Sequence, residues 1–205
     1  MTDGYAFTTD WFSRFAPLWR KILQQYPPSV MLEIGAYEGR TGCFLIDTVA
    51  TKRPVEMHCV DTWAGGVEHD RAAMGEVERR FDANLAKAVA SAAHPVAFHK
   101  HKGLSHEVLV RLLADGRGGS FDLIYVDGSH QAPDVLTDAV LAFQLLRVDG
   151  LLIFDDYLWF HEAHGQQDHY NMPKPAIDAF VNLFQRKLAV IGAPLYQLYT
   201  RKTAP

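Results

Sequence analysis

The chain has 205 residues, 48% apolar and 21% charged, with 20 basic against 24 acidic side chains and a formal net charge of −4. That length suits one domain that buries well over half of its unfolded surface. The signs are well mixed and no Lys/Arg stripe occurs, which excludes a general nucleic-acid or anionic-membrane footprint, and no segment approaches membrane-spanning length. No basic region precedes an apolar run at the start, so no secretory signal is expected. Cys43 and Cys59 sit in apolar stretches and read as reduced core residues of a cytoplasmic protein. The 10 histidines make the charge respond to pH between about 6 and 7.

Along the chain, Trp11, Phe12, Phe15, Leu18, Trp19, Ile22 and Leu23 recur at one, three or four residues, which predicts an amphipathic helical segment over 1–27, ended by Pro27-Pro28. Its apolar face either packs on the domain or serves as a substrate cap or homo-oligomer contact. Strands are predicted at 30–34, 56–61, 96–99, 121–127, 151–154, 188–191 and 196–201. The first five alternate with helical patterns, as parallel βαβ units do. The last two are separated by only Gly192-Ala193-Pro194-Leu195, too short for a crossover, and should pair as an antiparallel hairpin. The fold class is therefore α/β, a Rossmann-like sheet of five parallel strands plus the hairpin, with helices on both faces. Ligands should bind at the carboxyl ends of its strands. Residues 157–175 lack a clear period and mix aromatics with His161, His164 and His169, the composition of a substrate lid or a surface loop. The histidine spacing there does not match a zinc-protease helix.

The most informative segment follows the first strand: Glu33-Ile34-Gly35-Ala36-Tyr37-Glu38-Gly39-Arg40-Thr41-Gly42. Two glycines at a strand-to-helix turn let the backbone approach a ligand that the helix N-terminus faces. A dinucleotide fingerprint would need glycines where Glu33 and Glu38 stand, so NAD is not the expected ligand. Asp61 ends the second strand, where a carboxylate can accept from ribose hydroxyls; Thr62 and Trp63 follow it, the latter a candidate to flank an adenine or shape the substrate mouth. Gly103, Ser105 and His106 open the next helix, either beside an adenine or as ordinary capping chemistry. The fourth and fifth strands run into Asp127 and into Asp155-Asp156. Adjacent strand ends would crowd these three carboxylates, whose repulsion a hard divalent cation relieves. The bland alternative is that they cap turns.

Taken together, these points resemble the class I S-adenosylmethionine-dependent methyltransferases, specifically the catechol O-methyltransferase-like and bacterial sugar or macrolide O-methyltransferase group. The resemblance spans roughly residues 28–202, and implies one methyltransferase domain over 28–205 with 157–175 as lid. It implies the methionine moiety near Glu33, Gly35, Tyr37, Gly39 and Thr41, ribose at Asp61, adenine near Ser105 and His106, and Mg²⁺ or Mn²⁺ at Asp127, Asp155 and Asp156. The catechol enzymes carry a lysine base three residues after the first metal aspartate; here that residue is His130, whose ordinary pKa near 6.5 already suits proton transfer. The implied activity is O-methylation of a hydroxylated small molecule. Metal-independent N- or O-methylation and a non-catalytic cofactor-binding module are the competing readings.

Overall fold

A computed structural model describes residues 4–66, 72 and 74–205. The order is α1 (Ala16–Gln25), β1 (Val30–Ile34), α2 (Arg40–Val49), β2 (Val55–Asp61), α3 (Met74–Ser91), β3 (Val96–Lys102), α4 (Ser105–Ala114), β4 (Phe121–Val126), α5 (Ala132–Leu145), β5 (Leu146–Phe154), α6 (Lys174–Phe184), β6 (Leu188–Ile191) and β7 (Leu198–Lys202). The seven strands form one sheet in the order β3-β2-β1-β4-β5-β7-β6. The first five pair in parallel, and β7 runs antiparallel to both β5 and β6. The predicted hairpin therefore forms, with β7 as its inner strand. The strand order reverses between β1 and β4, so the crevice between their carboxyl ends is the switch point where open α/β sheets bind ligands.

Helices cover both faces. Met31, Met57, Cys59, Tyr125 and Ile153 point into the core shared with Trp19 of α1, Leu45 and Ile46 of α2 and Phe81 of α3. The intervening Leu32, Ile34, Ile124 and Leu152 point to the other core, with Leu109 of α4, Phe143 of α5 and Phe180 of α6. Strands buried on both faces read as near-continuous apolar runs, which is why β1 and β4 stand out in the sequence. Both cysteines are free and buried. Among the described residues no helix is long and apolar enough to cross a membrane.

Several predicted boundaries need correction: β3 runs on to Lys102, and β7 spans Leu198–Lys202 in place of 196–201. Helix α1 begins at Ala16, not near Trp11: Pro17 occupies its first turn, where a missing N–H costs nothing, and Trp11 is left exposed outside it. Strand β5 starts at Leu146, five residues early, because Arg147, Asp149 and Gly150 mask its apolar pattern. The irregular stretch ends before Lys174, where α6 buries Ala176, Ile177 and Phe180.

Candidate active site

The glycine loop is shaped by close approach. Gly35 has φ +85°, and a Cβ there would lie 1.9 Å from the carbonyl oxygen of Asp127, so the ends of β1 and β4 meet only because residue 35 has no side chain. Gly39, at φ +79°, caps α2, and a Cβ on it would strike Leu85 of α3 at 2.1 Å. Its glycine is thus explained by helix packing. Tyr37, Trp63 and Asp156 are non-glycine residues held at positive φ, all on loops at this carboxyl edge. Such strain costs about 1–3 kcal/mol each and persists where surrounding contacts enforce it.

Asp61 organises the loop. One oxygen accepts the N–H groups of Ala36 and Tyr37, each at 2.9 Å, and the other accepts that of Trp63 at 2.7 Å. A carboxylate offers about four acceptor positions, so capacity remains for a hydroxyl. Thr62 accepts from Ala64 and serves the turn. Trp63 is not a free stacking surface: it is buried, its ring packs 4.6 Å from Phe81, and its Nε1 donates to the Tyr37 carbonyl at 2.9 Å. Turned inward, it braces the glycine loop instead of lining a ligand mouth.

Glu33 lies buried under the first turn of α2. Burial pushes its pKa up to about 8, against the counter-effect of hydrogen bonds from Cys59, Thr41 and the Gly42 backbone. Thr41 thereby has a place in the site, as Glu33's donor. A small cavity of about 50 Å³ sits above them, walled by Glu33, Gly35, Tyr125, Asp127 and Asp155 and roofed by Phe7 and Trp11 of the N-terminal arm. The arm is fastened by Thr8 to Glu38, by Ala6 to Asn84 and by the Thr9 carbonyl to Arg40. A larger cleft of about 700 Å³ between the arm, α1 and α2 contains none of the residues named for chemistry.

On the other side of the crevice Gly103 donates to the Asp61 carbonyl at 3.0 Å, and Ser105 and His106 open α4. The sequence reading missed their partner. Asp138 of α5 is buried, accepts from Ser105, and leaves its Oδ1 buried without a partner. Burial, then the neighbouring Asp134, push its pKa up to about 7 despite Ser105 and His106. An acid spaced three and four residues from buried Val135 and Ala142 was the available signal.

The three aspartates do stand at neighbouring strand ends. Asp127 is pushed well above the usual carboxylate range by burial, then by Asp155, Asp156 and Glu33; Asp155 is pushed up by burial and by Asp156. Asp155 and Asp156 already have protein partners. Tyr125 donates to Asp155, whose other oxygen accepts from the Asp156 N–H at 2.8 Å, and Asp156 pairs with His130 Nε2 at 2.8 Å. Among the described residues the aspartates do not place one oxygen each within 4.8 Å of one another, as a compact metal group requires. The His130 ring also stacks on Trp159, 4.1 Å away, so the irregular stretch folds over it. A buried relay leads from Trp19 of α1 through Gln197 to Tyr125, at 2.9 and 3.2 Å, and so to Asp155.

A model of the methyltransferase-domain family matches residues 32–157, well over half of the chain. The chain belongs to that family. With its seven-stranded sheet it is a class I S-adenosylmethionine-dependent methyltransferase. No curated protein sequence matches it. Among solved structures it is similar to the O-methyltransferase from Bacillus cereus in complex with SAH, at 15% identity and TM-score 0.69, covering 95% of this chain and 84% of that one. It is also similar to TomG from Streptomyces achromogenes, an O-methyltransferase of tomaymycin synthesis solved with SAM, at 16% identity and TM-score 0.64, covering 98% and 82%. MycE of the mycinamycin pathway, solved with Mg and SAH, gives 18% identity and TM-score 0.62; the chain covers about half of it, 51%, with 96% of its own length.

Proposed function

We propose that this methyltransferase moves the methyl group of S-adenosylmethionine to a hydroxyl oxygen of a small molecule, such as a sugar, a catechol or another secondary metabolite, with Mg²⁺ or Mn²⁺ at the site. The carrying observation is the His130–Asp156 pair, set beside Asp127 and Asp155 at the same strand ends as the glycine loop. In this reading Glu33, Gly35, Tyr37 and Thr41 receive the methionine end, with Gly39 shaping the turn. Asp61 uses its remaining acceptor capacity on the ribose, with Thr62 and Trp63 holding its loop. Ser105, His106 and Asp138 face the adenine, whose exocyclic amine suits the unpartnered Asp138 oxygen. The cavity under the arm is far below the roughly 300 Å³ of a small ligand site, so Phe7 and Trp11 must lift for the cofactor to enter.

The hydroxyl must lose its proton before its oxygen displaces the sulfonium. His130 accepts that proton while the C–O bond forms, the C–S bond breaks and sulfur keeps the electron pair. Asp156 orients the ring and balances the imidazolium, as a carboxylate does for a catalytic histidine. The aspartates offer the hard oxygen donors that a divalent cation takes and would have to draw together around it; burial, then mutual repulsion, raises Asp127 and Asp155. When bound, such an ion supplies an anchor for the acceptor oxygen and lowers the pKa of its hydroxyl. The engagement of Asp155 by Tyr125 and of Asp156 by His130 favours a second reading, metal-independent methylation of oxygen or nitrogen.

The test is methyl transfer by the purified chain to a panel of hydroxylated small molecules, with and without Mg²⁺, read by mass spectrometry. Metal-stimulated transfer to oxygen is expected. Transfer unaffected by chelation selects the second reading, and cofactor binding without transfer to any acceptor selects a binding module.

A further inference from the structure

Away from the strand ends, β2 and β3 carry Glu56-x-His58 and His99-x-His101. Residues two apart on a strand share a face, and the parallel register sets His58 directly beside His99. His58 is buried, coplanar within 10° with His101 and 2.9 Å from it, Nδ1 to Nε2. His99 stacks on His58 with centroids 4.3 Å apart. One oxygen of Glu56 lies 2.7 Å from His58 Nε2 and 3.7 Å from His99 Nε2. One ligand atom from each of Glu56, His58 and His99 therefore falls within 4.8 Å of the others.

We propose that Glu56, His58 and His99 form a second metal site, for Zn²⁺ or a similar imidazole-seeking transition ion, independent of the methyl-transfer centre. Two imidazoles and a carboxylate are a borderline donor set, which selects Zn²⁺ over Mg²⁺. Zinc bonds of about 2.0–2.1 Å fit inside ligand spacings of this size after small ring rotations. His101 supplies the outer support. A metal-bound histidine characteristically donates its other ring N–H to an acceptor, and His101 already sits on the Nδ1 of His58. Without metal, His58 Nε2–H donates to Glu56 and Nδ1 accepts from His101; with metal on Nε2, both rings change tautomer and stay neutral. His99 is half exposed and gives the ion its entry. The competitor is Arg117, whose guanidinium donates to the same Glu56 oxygen at 2.7 Å while its own Nε is buried without a partner. An arginine with one unsatisfied donor is a cation the site can exchange.

The test is calorimetric titration of ZnCl₂ into the chelator-stripped full chain, in excess Mg²⁺ to occupy the aspartates. One equivalent of Zn²⁺ should bind. His99→Ala, at a half-exposed position that tolerates truncation, should weaken binding at least about tenfold, and His101→Ala by about 10–100-fold. Arg117→Ala should strengthen it. A variant with His161, His164 and His169 all changed to alanine should bind as the wild type does. Absence of Zn²⁺ binding, wild-type affinity in His99→Ala, or loss of binding in the loop variant would each overturn the assignment.

Discussion

The carboxyl edge and the histidine grid each gather several ionisable side chains within a few ångströms, yet they reach opposite states. In the grid the chain supplies its own counter-charge: Arg117 sits on Glu56, His58 and His101 share a hydrogen bond, and His99 stacks on His58. At the carboxyl edge Asp127, Asp155, Asp156 and Glu33 share one crevice. His130 pairs with Asp156, and Tyr125, a neutral donor, serves Asp155. Burial, and then mutual repulsion, raises the carboxyl pKa values there, and protons or a cationic ligand relieve both. Of the four non-glycine residues at positive φ among those described, Tyr37, Trp63 and Asp156 belong to the acidic edge, while Asp149 lies at the irregular start of β5. A sulfonium cofactor and a divalent ion are the kinds of ligand that would complete it.

If a cation completes the aspartates, excess chelator should abolish methyl transfer, and Asp155→Ala should do the same while cofactor affinity stays within a few-fold. Activity assays with parallel calorimetry check both. Full turnover in chelator would mean that His130 and Asp156 suffice.

His130 comes next. A general base typically contributes about 10²–10⁴ in rate, so His130→Ala should lower single-turnover transfer by that order with cofactor affinity nearly unchanged. Asp156→Asn should lose less, because it keeps a hydrogen-bond partner for the ring while removing the balancing charge. A wild-type rate in His130→Ala would reassign the base. Acceptors with two adjacent hydroxyls should outperform mono-ols if the cation holds both oxygens.

A smaller effect separates ligand binding from loop architecture. Asp61 already receives three backbone N–H groups, and hydrogen bonds to a charged group are worth about 1.5–3 kcal/mol each. Asp61→Ala should therefore lower the melting temperature as well as cofactor affinity, the latter by about tenfold or more. Unchanged affinity in a folded variant would leave Asp61 a purely structural clasp.

What could be read beforehand followed from pattern length and chemistry type. Strands β1, β4 and β6 are largely apolar runs and their bounds were legible to within one residue; β5 was shortened by Arg147, Asp149 and Gly150, which belong to its irregular start. Glu33, Asp61 and the aspartates were visible because polar residues end buried strands. Other neighbours were not: Asp138, which faces Ser105, comes from the next helix, α5, and Trp63 carries no mark that its ring turns inward. The histidine grid was hidden for a similar reason. Glu56-x-His58 and His99-x-His101 are unremarkable apart, and only the β2–β3 register makes them neighbours. Single-strand patterns were legible; juxtapositions that depend on register were not.

The subtlest expectation concerns the proton on Glu33. Its pKa is raised by burial from an ordinary 4.5 to about 8, so between those values the folded chain holds a proton that the unfolded chain has released. The folded state then binds more protons, and stability must fall as pH rises through that window. The stabilising contribution is complete below about pH 4.5 and is lost as pH climbs to about 8. Asp138, raised to about 7, adds to the same slope. A methionine ammonium or sulfonium near Glu33 favours the carboxylate instead, so cofactor binding below pH 8 should release up to one proton and tighten by a few-fold between pH 7 and 8. Glu33→Gln keeps the shape and removes the titration. Calorimetry in buffers of differing ionisation enthalpy should show proton release in the wild type and less in the variant, and thermal melts should show a flatter decline with pH for Glu33→Gln. Identical slopes and equal proton counts in the two proteins would mean that Glu33 is ionised before the cofactor arrives, and the acidic edge would then be less starved of positive charge than its geometry implies.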